Sequence, residues 1–121
     1  MKEKHIQLYI TLCRQISEVS ECTRRKFGAL IVDEVSNIIV ASGYNGYLRG
    51  AAPLCGGETC ERETRCIASG TSLEIGCVHA EMNAIVNAAR QGVAILGATI
   101  FVNGEPCILC AKLIVQAGLE R

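Results

Sequence analysis

Eight cysteines in 121 residues, at positions 13, 22, 55, 60, 66, 77, 107 and 110, constrain this chain more than any other feature. In an oxidising compartment they would read as a disulfide framework with about a hundred possible connectivities. In a reducing one, clustered cysteines serve as metal ligands, because the metal stabilises their thiolate form. The N-terminus separates the two readings. Met1 to Ile10 mixes Lys2, Glu3, Lys4 and His5 among its apolar residues, where a signal peptide needs an unbroken apolar stretch. No span approaches membrane length. The expectation is a cytoplasmic, metal-binding protein with no membrane segment.

The length suits one domain over 1–121, with half the residues hydrophobic to fill its core. Lys plus Arg (12) equals Asp plus Glu (12), so no bulk positive field exists to hold a nucleic-acid backbone, and an anionic partner must be met locally. Apolar residues Ile6, Tyr9, Ile10, Cys13, Ile16 and Val19 recur at spacings of three and four, predicting a helix over His5–Val19. Phe27–Val32 and Ile38–Ala41 suit an antiparallel hairpin, followed by a loop from Gly43-Tyr44-Asn45-Gly46. An irregular excursion containing Cys55, Cys60 and Cys66 runs on to Cys77. A second helix is expected from His79 to Gln91, closed by Gly92, then a strand over Thr99–Val102. A third helix is expected over Cys107–Ala117, with Pro106 at its first position and Gly118 after its end. This alternation argues for one sheet covered by helices, the α/β class.

Cys107 and Cys110 stand three apart at a predicted helix start, so both thiolates can bite one ion and both gain from the helix N-terminus. His79 offers a third ligand at another helix start. Three protein ligands leave the fourth tetrahedral position open, as a catalytic zinc requires. Glu81 follows His79 by two residues, a spacing that faces one site only if His79 lies in the first turn or just before it. Two other readings stay open on these residues alone: a structural Cys/His site with Glu81 on a solvated helix face, and a thiol-redox pair at Cys107 and Cys110. The upstream His-x-Glu has no role in the redox reading.

His79-Ala80-Glu81 together with Pro106-Cys107-Ile108-Leu109-Cys110 matches the H-x-E and P-C-x-x-C signature of zinc nucleobase deaminases. Cys22-Thr23-Arg24-Arg25-Lys26-Phe27-Gly28-Ala29, Gly43-Tyr44-Asn45-Gly46 and Val78-His79-Ala80-Glu81-Met82-Asn83-Ala84-Ile85 resemble stretches of the cytidine and deoxycytidylate deaminase family, most closely its deoxycytidylate branch. The resemblance runs from Cys22 to Gly118. It implies a three-layer α-β-α fold, a mixed sheet with helices on both faces, and hydrolysis of dCMP to dUMP with release of ammonia. It implies a catalytic zinc on His79, Cys107 and Cys110, with Glu81 as proton shuttle. Asn45 is then expected to contact sugar or base, and the backbone of Gly28 and Ala29 to line the pyrimidine pocket. A substrate phosphate calls for cations, for which Arg24, Arg25, Lys26 and Arg49 are candidates.

The branch also implies a second, structural zinc, whose ligand positions resemble Cys22, Cys55, Cys60 and Cys77, with Cys66 as an alternative for one of them. Its further implications are a nucleoside triphosphate effector and a homo-oligomer. Leu48 stands where the family's loop carries proline, which bears on substrate phosphorylation and effector control. The last residues, Gly118-Leu119-Glu120-Arg121, fall where the family starts another strand, so the sheet is expected to lack C-terminal strands and to present an edge that a second subunit covers. Other expectations for the same residues are deamination of another cytosine compound and a non-catalytic zinc module that binds a nucleotide.

Overall fold

The computed structural model describes residues 1–21, 25–47 and 77–120. Helix α1 (Glu3–Ser17) begins with Glu3 in its first turn and buries Tyr9, Cys13 and Ser17. It stops two residues short of the expected Val19. The Ser17 hydroxyl donates back to the Arg14 carbonyl (2.6 Å), and the amides of Glu18, Val19 and Ser20 bond three residues back rather than four, tightening the last turn.

Strand β1 (Gly28–Asp33) is the centre of a sheet of order β2-β1-β5, antiparallel to β2 (Ile38–Tyr44) on one side and to β5 (Thr99–Val102) on the other. The hairpin turn between β1 and β2 places Asn37 at φ 56, and the Asp33 carboxylate accepts the Val35 amide. Strand β2 runs through Gly43 and Tyr44, which the sequence reading gave to a loop. The Gly28↔Tyr44 pairing extends it, after a register shift between Ile31 and Val32. The named strands of this sheet are antiparallel; its parallel element is Glu120 beside Thr99, where the Ile100 amide donates to the Glu120 carbonyl (3.0 Å) and the Glu120 amide to that of Ala98 (2.8 Å). Glu120 thus forms an isolated parallel bridge beside β5. A short pair, β3 (Gly46–Tyr47) with β4 (Cys77–Val78), leads into helix α2 (Ala80–Gln91).

Every residue of β1 from Gly28 to Val32 is buried, as a strand covered on both faces requires. Leu30 and Val32 point to α1, where they join Tyr9, Cys13 and Phe101. Ala29 and Ile31 point the other way, to Ala80 and Ala84 of α2, with Ile100 and Leu119 beside them. Helix α3 (Ile108–Gln116) follows β5 and lies against α2, adding Ile114 to that cluster. Helices therefore cover both faces of a mixed sheet. Both α2 and α3 begin one residue later than expected, because His79 and Cys107 have extended backbones and act as N-cap residues. Pro106 consequently precedes the N-cap of α3 instead of occupying its first turn. Gly92 ends α2 in the left-handed region at φ 69, as the sequence predicts. Among the described residues, no helix is long and apolar enough to cross a membrane.

Candidate active site

The distance between α2 and the sheet is set by a glycine. A Cβ at Gly43 would stand 2.5 Å from the Ala84 amide nitrogen and 2.7 Å from the Ala80 carbonyl oxygen, so only a bare backbone lets the helix lie this close to β2. Ala80 and Ala84 complete the close face with minimal side chains. Two asparagines fix the helix along its axis: Asn83 Nδ2 donates to the Tyr44 carbonyl and Asn87 Nδ2 to that of Ser42, both at 2.8 Å. Four residues apart on one face of α2, they dock it on alternate carbonyls of β2.

At the head of this docked helix, His79 is the N-cap, with φ −71 and ψ 155, and its ring takes no part in capping. The extended backbone meets the geometric condition on the His79-x-Glu81 spacing, since His79 stands just before the first turn. Cys107 is the N-cap of α3, and its sulfur accepts the Cys110 amide at 3.5 Å. The two helix starts converge, placing His79 Nδ1 3.4 Å from Cys107 Sγ and 3.3 Å from Cys110 Sγ. All three donor atoms lie within 4.8 Å of one another. Nitrogen and sulfur ligands of one tetrahedral zinc, at about 2.0 and 2.3 Å from the ion, stand about 3.5 Å apart. The separations fit.

The electrostatics of the donor set agree. Burial pushes the Cys110 thiol well above its ordinary value, the negative charge of Glu81 and of Cys107 pushes it further, and the Met82 amide opposes them weakly. Thiols crowded against a carboxylate resist ionisation unless a cation joins them, and a divalent ion reverses that balance outright. Glu81 lies in the first turn of α2 with 5% of its surface exposed. Burial raises its carboxyl above 4.5, while its own backbone N–H and the His79 ring hold it down.

The other expected residues occupy different surroundings. Gly28 and Ala29 are buried in β1, Gly28 so tightly that a Cβ would strike the Cys13 carbonyl of α1. Arg25 and Lys26 are exposed just before β1. Asn45 is 8% exposed and anchors backbone: its Oδ1 accepts the Phe27 amide (2.9 Å), its Nδ2 donates to the Arg25 carbonyl (2.8 Å), and its own carbonyl accepts the Ser20 hydroxyl (2.8 Å). One Nδ2 hydrogen and one Oδ1 lone pair remain beyond these bonds. Arg24, Arg49 and the cysteines 22, 55, 60 and 66 lie outside the described residues, and Cys77 falls in β4. Asn83, Asn87 and Asn103 were not singled out from the sequence. The four-residue spacing of Asn83 and Asn87 on one helix face was the available signal for that pair.

Residues 2–121 match the model of the cytidine and deoxycytidylate deaminase zinc-binding region. The deoxycytidylate deaminase of Mycobacterium phage D29 is 33% identical over 121 residues, covering 95% of this chain and 89% of the phage protein. ComE operon protein 2 of Bacillus subtilis is 38% identical over 102 residues, which is 84% of this chain and 48% of that protein. The crystal structure of dCMP deaminase from the cyanophage S-TIM5 in complex with dCMP and dUMP superposes with a TM-score of 0.77 at 32% identity, over 99% of this chain and 79% of that one. With sequence match, fold and the His79, Cys107, Cys110 group in agreement, the chain belongs to the cytidine and deoxycytidylate deaminase zinc-binding family.

Proposed function

We propose that this protein hydrolyses dCMP to dUMP and ammonia, with His79, Cys107 and Cys110 holding zinc and Glu81 moving protons. The observation that carries this reading is a buried carboxyl, Glu81, in the helix turn that follows His79, itself one of a His/Cys/Cys group of ligand spacing. The relatives named deoxycytidylate deaminase and the solved dCMP and dUMP complex support the choice of substrate. When bound, zinc supplies the Lewis acidity that makes a water nucleophilic near neutral pH. Glu81 takes the proton of that water as it adds to C4 of the pyrimidine and passes it to N3. The carboxylate so regenerated takes a second proton, from the new C4 hydroxyl, and delivers it to the exocyclic nitrogen; the C4–N bond breaks, ammonia leaves, and the C4 oxygen becomes the carbonyl of uracil. Burial keeps water from competing for the Glu81 carboxyl, and the rigid docking of α2 holds it in place between these transfers.

Asn45, with its one unspent donor, and the backbone of Gly28 and Ala29 are assigned to sugar and pyrimidine, and Arg24 and Arg25 to the phosphate. Neutral overall charge favours a small nucleotide over a nucleic-acid strand. A second zinc on Cys22, Cys55, Cys60 and Cys77, a cytoplasmic location that keeps these thiols reduced, a homo-oligomer and a nucleoside triphosphate effector complete the proposal by resemblance. Its test is ammonia release from dCMP, CMP, deoxycytidine, cytosine and guanine by zinc-replete protein, with Glu81→Ala as control. Turnover of dCMP that vanishes in the variant is expected. Equal turnover of deoxycytidine would remove the phosphate requirement, and turnover of none would leave a nucleotide-binding module. Two zinc ions per chain are expected, and one would remove the second site.

A further inference from the structure

The segment Arg25–Gly28 enters the central strand between two asparagines that treat it alike. Asn45 follows β2 directly and Asn103 follows β5 directly, and these are the two strands that flank β1. On the β2 side, the Asn45 amide donates to the Phe27 carbonyl (3.2 Å) while Asn45 Oδ1 accepts the Phe27 amide (2.9 Å). On the β5 side, the Asn103 amide donates to the Gly28 carbonyl (3.4 Å) while Asn103 Oδ1 accepts the Gly28 amide (2.8 Å). Each asparagine thus closes a two-bond ring on one of two consecutive residues. In each ring a side-chain carbonyl stands where the neighbouring strand's main-chain carbonyl would stand in a continuing ladder.

The substitution of side chain for main chain has a geometric effect. A continuing ladder would hold all three strands parallel to one plane at about 4.8 Å spacing. With side-chain carbonyls satisfying the two amides, the main chains after Asn45 and Asn103 are released to leave the sheet. On the β5 side the released chain is Gly104-Glu105-Pro106, which delivers Cys107 and Cys110. Gly104 adds a second restraint, because any Cβ there would strike the Phe27 ring. The loop that carries two of the three metal ligands is therefore pinned at its origin to the residue pair Phe27–Gly28.

We propose that Asn103 is a positioning residue of the site, with Asn45 as its counterpart: together they clasp Phe27 and Gly28 between the two diverging strands and so fix the ligand-bearing loop relative to the start of β1. This inference rests on the deaminase reading for its kinetic consequence and on geometry alone for the clasp. The two asparagines differ in one chemically useful way. In the bonds described, the Asn103 side chain acts only as an acceptor, whereas Asn45 also donates through Nδ2 to the Arg25 carbonyl. An aspartate can replace the first and not the second, since a carboxylate facing a carbonyl loses the bond and adds repulsion.

The test compares Asn103→Leu, Asn103→Asp, Asn45→Asp and wild type, each loaded with zinc. Asn103→Leu is expected to keep its zinc, raise KM for dCMP about tenfold, as loss of one positioning bond does, and leave kcat within about threefold. Asn103→Asp is expected to restore KM, and Asn45→Asp is not. A purely structural role would lower the melting temperature of Asn103→Leu and leave KM at the wild-type value, which overturns the proposal. So does an Asn103→Asp that behaves like Asn103→Leu. Amide exchange in zinc-loaded protein reads the clasp without catalysis: Asn103→Leu should speed exchange at Gly28 at least tenfold more than at Phe27. Wild type without turnover of dCMP would sink the deaminase reading alone, and unchanged Gly28 exchange in Asn103→Leu would sink the clasp alone.

Discussion

The two faces of the sheet are built from one strand and do different work. Toward α1, β1 presents Leu30 and Val32, and the layer is filled by Tyr9, Cys13 and Phe101, with the Tyr9 and Phe101 rings 5.3 Å apart. Toward α2, it presents Ala29 and Ile31 against Ala80 and Ala84, with Gly43 under the helix backbone. Large side chains fill volume and can adjust by rotamer; small ones leave the helix resting on the strand's backbone, where only one position is open. The His79, Cys107 and Cys110 group sits at the head of the helix on the second face. Each face also buries a cysteine, and these show the same contrast. Cys13 has an apolar surrounding, whereas Cys110 shares its surroundings with Cys107, His79 and Glu81. Burial alone makes a cysteine inert, and burial among other donors makes it a ligand.

The sharpest way to separate the two cysteines is to remove each. Cys110→Ala is expected to abolish zinc binding at the catalytic group and reduce turnover below detection, as metal content by mass spectrometry and ammonia release would report. Retained stoichiometric zinc on His79 and Cys107 alone would break the contrast. Next in size is Glu81→Gln, which keeps the donor set and removes the transferable proton. It should hold zinc as wild type does and lose about 10²- to 10⁴-fold in kcat. A variant within threefold of the wild-type rate would take the shuttle away from Glu81.

How much of this contrast the sequence revealed follows from the kind of interaction involved. The amphipathic spacing of Tyr9 and Cys13, the apolar run of β1 and the left-handed Gly92 are local signals, and helix, strand and cap fall where those signals lie. The site itself was legible because His79, Glu81, Cys107 and Cys110 form a short chemical pattern with a stringent geometry. Boundaries shifted by one to three residues where a cap or a cross-strand pairing decided them: Cys107 took the N-cap and displaced Pro106, and Tyr44 was drawn into β2 by Gly28. The backbone bonds made by the Asn45 and Asn103 side chains were not legible. Asn45 with Phe27 and Asn103 with Gly28 are separated by 18 and 75 residues, and a side chain satisfying a distant backbone amide leaves no periodic trace.

The difference in packing between the faces can be tested by crossing one substitution on each. Gly43→Ala places a methyl against the Ala80 carbonyl and the Ala84 amide, so α2 must move away from β2. Overpacking of this kind costs about 1–3 kcal/mol and should carry His79 and Glu81 with it, lowering kcat of the folded protein about tenfold. Leu30→Ala on the α1 face costs more stability, about 2–5 kcal/mol, and leaves kcat of the folded fraction near the wild-type value. Denaturant titration and single-concentration turnover on the same samples separate the two quantities. Parallel losses of stability and kcat in both variants would mean that the faces are mechanically equivalent.

The smallest effect concerns Cys13 and appears only at alkaline pH. Its thiol is pushed up from 9.0 to about 11, chiefly by burial, with the Leu30 backbone bond opposing it. A thiol whose folded value lies above its unfolded one favours the folded state through its neutral form. That contribution is fully present below about pH 9 and is lost as pH rises from 9 through 11, because the unfolded chain ionises first. A difference of this size corresponds to about 2–3 kcal/mol lost across the window. Cys13→Ala removes the titrating group and substitutes a small cavity, so the variant should be less stable than wild type at pH 8 and converge with it by pH 11. The comparison isolates Cys13, because every other alkaline titration, that of Cys110 included, is common to both proteins. Two stability curves that stay parallel from pH 8 to 11 would show that the α1 face leaves this thiol near its ordinary value, and would remove the claim that burial alone governs it.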